Sequence, residues 1–155
     1  MLRKEYVSIK IDLKFETKLD LDLLSVGIFI RLIRLIASLR LKTAEAWTDP
    51  YKAIIDTGSP ITLIPKHVWE KLSIKWIFPS SIELTGLGSG GVSGKLAEVV
   101  MVFLDKKALS PPISLKAFLV DSDSVPLIIG FEDILTDIKL VCDYRIKTAF
   151  LQIPD

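Results

Sequence analysis

The sequence predicts an all-β fold with one short helix near its C-terminal end. Three observations carry that expectation. Apolar and polar residues alternate over several stretches, the period of a strand with one wet face. Short apolar runs, Ala53–Ile55 and Leu127–Ile129, stop abruptly at Asp56 and Gly130, as strands buried on both faces do. Five of the eight glycines fall between Gly86 and Gly94, flanked by strand-like segments, where a hairpin tip belongs. At 155 residues the chain can bury about two-thirds of its unfolded surface.

Composition narrows the function classes. Half the residues are hydrophobic and a quarter charged, the balance of an ordered globular chain. The formal charge of +1 offers no broad basic field, so no nucleic-acid partner is expected. The single cysteine, Cys142 between Val141 and Asp143, excludes an internal disulfide and suits a small packed side chain. One cysteine and one histidine, His67, supply no zinc ligand set. Asp121 and Asp123 share a polar loop, but the rest of a calcium loop is missing. Neither metal nor cofactor is therefore expected. Met1–Tyr6 is charged and shows no signal pattern, so the expected compartment is the cytoplasm.

The elements follow in order. Val7, Ile9, Ile11, Leu13 and Phe15 alternate with polar residues as one strand. Leu19, Leu21 and Leu23 alternate as its partner, making residues 1–24 an N-terminal β-hairpin extension that covers an edge or extends an interface. Leu23–Leu41 is the most apolar segment. Arg31, Arg34 and Arg40 argue against a membrane span, since an arginine near a bilayer centre costs at least about 2.5 kcal/mol. An interfacial helix is conceivable, but the preferred reading is strand: Val26, Ile28, Ile30 and Leu32 alternate, then Leu35, Ala37, Leu39 and Leu41 in the opposite phase. A phase flip near Ile33 predicts a bulge or bend. Val68 and Leu72 are spaced for a short helical turn, with Trp69 and Trp76 as core or interface anchors and His67 at the surface. Ile113–Val120, Lys139–Tyr144 and Thr148–Ile153 read as further strands. Ile134, Leu135 and Ile138 mark the C-terminal helix.

Two stretches could carry chemistry. In YKAIIDTGSPITLIP, Tyr51–Pro65, an acid closes an apolar strand and a second apolar strand follows. Gly58 permits backbone conformations closed to other residues. A carboxylate between buried strands costs several kcal/mol unless satisfied, so its placement needs a reason. The plain reason is a turn in which Asp56 accepts neighbouring amides. The other stretch is glycine-rich: Gly86, Gly88 and Gly91 satisfy G-x-G-x-x-G, but a dinucleotide site needs a helix next. Here Gly94 and the strand-like run AEVVMVFL from Ala97 follow. No Walker loop fits either, since Leu96 follows Lys95. A hairpin tip remains, able to approach an extended peptide or simply to turn.

Taken in order, IIDTGS, GLGSGGVSG and LIIGFEDILTDI resemble the retropepsin-like aspartic proteases over about residues 26–153. The resemblance implies a closed or partly open acid-protease barrel at residues 25–155, homodimeric, acting as an aspartic endopeptidase on peptide or protein substrates. Asp56 would be the catalytic carboxylate, Thr57 would brace paired active loops, and Gly58 would lie against substrate. Ser59, the flap residues Gly86, Leu87, Gly88, Ser89, Gly90 and Gly91, and Ile129 with Gly130 would border the peptide. Ile128, Ile129 and Gly130 would also pack behind the Asp56 loop. The chain departs from many retroviral members at Pro60, where they carry an acid, and at Phe131, where they carry an arginine. One D-T-G triplet per chain means that a second carboxylate must come from a second copy. The alternatives are a catalytically silent module of the same fold that dimerises or binds extended peptides, and a membrane-surface protein using Leu23–Leu41.

Overall fold

Alternating apolar residues bury one side of a strand only if another layer covers them, and most of this chain resolves into such strands. The computed structural model describes residues 7–85 and 91–155. In chain order the elements are β1 (Ser8–Asp12), β2 (Lys14–Leu19), α1 (Leu21–Ser25), β3 (Arg31–Leu41), β4 (Tyr51–Ile55), β5 (Thr62–Ile64) and α2 (Lys66–Trp69). There follow β6 (Lys75–Leu84), β7 (Val92–Leu104), β8 (Ile113–Val120), β9 (Ile128–Ile129), a π-helical turn (Phe131–Leu135), β10 (Lys139–Asp143) and β11 (Thr148–Pro154). Among the described residues no helix is long and apolar enough to cross a membrane.

Eight strands pair in the order β2-β3-β4-β9-β5-β8-β7-β6, and β3 also pairs with β7. That extra pairing closes β3, β4, β9, β5, β8 and β7 into a ring of ladders. Strand β2 extends from β3, and β6 from β7. Three further strands form a separate sheet, β1-β11-β10. Its Ile11, Leu151 and Ile153 pack into the same core as Leu39, Ile55, Met101, Phe103, Leu119 and Ile129 of the ring. Strand β8 is buried on both faces. Ala117 and Leu119 join the main core, while Phe118 and Val120 join Leu63 and Val92 in a second cluster.

The N-terminal segment differs from expectation. Val7–Phe15 breaks at Leu13, and its halves join different sheets: β1 pairs with β11, and β2 with β3. No hairpin forms between it and Leu19–Leu23. Leu21–Ser25 is instead a helical turn, because Asp20 caps it by accepting the N–H groups of Asp22 and Leu23, each at 3.1 Å. Gly27, at φ +80°, ends it, and the Ile28 N–H returns to the Leu23 carbonyl. Val26–Ile30 is consequently not strand.

Of the bulge or bend expected near Ile33, no bulge forms. Pairing with β2 runs unbroken from Leu19↔Arg31 to Lys14↔Ile36. The change of phase has another cause. Residues 31–34 lie in a two-stranded extension exposed on both faces, whereas Leu35 onward enters the ring, where Leu35, Ile36 and Ala37 are all buried. Elsewhere the expected strands form: β8, β10 and β11 span the segments named above, and α2 buries Val68. Strands β6 and β7 pair antiparallel, and the last pair among the described residues is Leu84↔Val92. Trp69 packs against the core and donates its indole N–H to the Val120 carbonyl at 2.7 Å. Trp76 crosses it edge-to-face at 6.3 Å. Cys142 is half-buried against the core.

Candidate active site

Strand β4 carries the candidate acid to the edge of the ring. Ala53 and Ile55 are buried, and the Asp56 N–H donates to the Ile129 carbonyl at 3.0 Å, so the ladder with β9 holds up to the acid itself. The chain then turns. Asp56 is half-buried, and its Oδ1 accepts the Gly58 N–H at 2.8 Å, the turn chemistry that an Asp two residues before an amide provides. A methyl group on Gly58 would sit 3.2 Å from that oxygen. Gly58 therefore leaves room beside the carboxylate; its φ is not in the left-handed region, which among described glycines only Gly27 occupies.

A second turn braces the first from behind. The Phe131 N–H donates to the Ser59 carbonyl and the Glu132 N–H to the Pro60 carbonyl, each at 3.0 Å. The Gly130 N–H donates to Thr62 Oγ1 at 3.2 Å. A methyl group on Gly130 would lie 2.5 Å from the Ile61 carbonyl oxygen and 2.7 Å from that of Ser59, so only glycine permits this approach. The bracing turn is itself tied to β8. Asp133, at φ +61°, accepts the Lys116 N–H at 2.8 Å, and its other contact is the Lys116 ammonium at 3.1 Å. The Lys116 N–H and, against the effect of burial, the Lys116 ammonium hold the Asp133 carboxyl below the usual carboxylate range.

The structure brings together part of what the sequence proposes. Asp56, Thr57 and Gly58 share one turn, with Thr57, Gly58 and Pro60 exposed and Phe131 38% exposed beside them. Ser59 is 1% exposed and spends its hydroxyl on the Ile61 carbonyl at 2.7 Å, so it stabilises the turn from within. Ile129 and Gly130 are buried and pack behind the turn, without solvent-facing surface. Gly91 is exposed at the entry to β7, next to Glu83. Gly86, Leu87, Gly88, Ser89 and Gly90 lie outside the described residues.

Two contributors carry little or no signal in the sequence. Thr62 is a hydroxyl residue inside the apolar run Ile61–Ile64, and a polar group at a buried position needs a partner; that was its signal. Asp133 had no signal, because Lys116 is seventeen residues away and meets it only in the fold. His67 is exposed and not alone: its ring Nδ1 and its backbone N–H both meet Asp123 Oδ1, at 2.7 and 2.8 Å. Asp56 makes no ion pair with a described residue, and no group of three metal-ligating side chains occurs among the described residues.

No protein-family model matches the chain, and no curated protein matches it. Among solved structures it is similar to the crystal structure of a retropepsin-like aspartic protease from Rickettsia conorii, at 16% identity and a TM-score of 0.45, with 96% of each chain covered.

Proposed function

We propose that the chain is an aspartic endopeptidase of the retropepsin-like kind, built on an acid-protease barrel and active as a homodimer. The observation that carries the reading is the Asp56 turn: a half-buried carboxylate at a strand end, braced by three N–H bonds from Gly130, Phe131 and Glu132. Such bracing holds a reacting group in place, which is what a catalytic carboxylate needs. The exposed patch of Thr57, Gly58, Pro60 and Phe131 beside it is the face that a two-fold axis would cover.

In the dimer two copies of Asp56 would share one site. Two full negative charges about 3 Å apart repel by about 5 kcal/mol at an effective dielectric of about 20. One proton is therefore retained. The ionised carboxylate takes a proton from water while the protonated one donates to the scissile carbonyl oxygen, and the water oxygen attacks the carbonyl carbon. The tip of the β6–β7 hairpin would close over an extended peptide and exclude water. Thr57 would bond across the axis.

The second reading, a silent module that dimerises or binds peptides, is favoured by one observation. Asp56 already satisfies an ordinary turn through Gly58, a role that requires no catalysis. Peptide-library cleavage measured with pepstatin, alongside sedimentation mass, separates the two. The enzyme reading expects pepstatin-sensitive cleavage by a dimer, lost in Asp56→Asn while the dimer persists. Undiminished cleavage in Asp56→Asn overturns it, and a dimer without cleavage supports the silent module.

A further inference from the structure

Strand β3 changes partner along one edge. Residues 31–36 pair with β2 and residues 38–41 with β7, so Ala37 stands where one neighbour ends and the other begins. The β1–β2 corner and the end of β7 meet over this break, linked by the Asp12 N–H donating to Asp105 Oδ2 at 2.8 Å. They leave a cavity of about 400 Å³, within the range of small-molecule sites, about 300–1,000 Å³.

Register decides which side chains face it. Directly opposed residues in neighbouring strands share a face, as do residues two apart in one strand. Lys14 opposes Ile36, while Lys52 and Leu104 both oppose Ser38. These five therefore lie on one face. It is the outer one, since Leu35, Ala37 and Leu39 belong to the core. Lys106 and Lys107 complete the lining from the turn after β7. The floor is thus apolar and the rim carries four ammonium groups.

None of these four lysines forms an ion pair with a described residue. The two carboxylates of the lining are already engaged. Asp12 lies 3.8 Å from Lys10, and Asp105 accepts the N–H groups of Asp12, Lys107 and Ala108. Lys107 attracts Asp105, and Lys52 attracts Glu16. Four ammonium groups against the two lining carboxylates still leave a net charge of +2 around an apolar floor, which matches a ligand with the opposite arrangement.

We propose that this cavity binds a small amphipathic carboxylate, its apolar body against Ile36 and Leu104 and its acid head among Lys14, Lys52, Lys106 and Lys107. The site is independent of the Asp56 turn. Calorimetry of the full chain with hexanoate, octanoate and octanol tests it, at concentrations below micelle formation. One carboxylate binds per chain, and affinity rises about fourfold for each methylene from hexanoate to octanoate, the free energy of burying one. Octanol binds about tenfold more weakly, having no charge for the lysines. Lys14→Gln/Lys52→Gln weakens octanoate about tenfold and leaves octanol unchanged, and Ser38→Phe, which fills the cavity, blocks both. Asp56→Asn leaves octanoate binding as it was, whatever becomes of the protease reading. The absence of saturable octanoate binding, equal affinity for octanol, or binding untouched by both lining variants overturns the proposal.

Discussion

Gly130 and Thr62 show how single residues hold the candidate site. Gly130→Ala would drive a methyl group into two backbone carbonyls that cannot yield as a side-chain end can. It is expected to cost at least about 1–3 kcal/mol in thermal or denaturant unfolding and to displace the Asp56 turn. Thr62→Val keeps the shape and removes the acceptor of the Gly130 N–H. Leaving that buried donor unpaired costs about 1–3 kcal/mol, read as a lowered unfolding midpoint. Asp56 itself was legible from its place at the end of an apolar run. What the run could not reveal is that Ser59 turns inward, since a serine after glycine suits a buried and an exposed turn equally. Its burial follows from the Phe131 N–H reaching its carbonyl.

At the scale of elements, the turn Phe131–Leu135 depends on a carboxylate. The Asp133 pKa lies below its ordinary value, so the bond to Lys116 stabilises the fold fully above the unfolded-state value, about 3.9. That stabilisation is lost as pH falls through the lower, folded value. Asp133→Asn is therefore expected to flatten the acid limb of a stability–pH profile, with the Lys116 amide resonance no longer moving in that range. The helix α1 teaches a different lesson. Alternating Leu19, Leu21 and Leu23 suggested a strand, yet Asp20 and Gly27 frame the segment as a start and a stop signal frame a helix. Local capping outweighed a three-residue alternation, because the segment has no neighbouring strand to bury it. Asp20→Ala is expected to destabilise this turn by about 1 kcal/mol, measured as faster amide exchange of Asp22 and Leu23.

Across the whole molecule, apolar surface is distributed unevenly. The ring and the three-stranded sheet share one core, whereas the β2–α1–β3 extension exposes Leu21, Ile28, Phe29, Ile30, Leu32 and Ile33. Phe29 is 76% exposed, so Phe29→Asp should change unfolding free energy by less than about 0.5 kcal/mol. A much larger loss in denaturant unfolding would mean that the extension is covered in solution. The dimer proposed for catalysis makes a separate prediction at this scale: dilution below the dissociation constant should abolish cleavage before it unfolds the protomer.

By itself the sequence determined the strand-rich character of the chain, most strand positions, and the apolar runs that deliver Asp56 and Gly130 to strand ends. Those features are local, written in period and in breaks of period. The tertiary structure decided what no window of sequence contains. It made β3 the strand that closes the ladder, split the first alternating segment between two sheets, and set Gly130 against the Asp56 turn. Each of these depends on hydrogen-bond partners far apart in the chain, and a backbone group takes whichever partner the assembled sheet brings within reach.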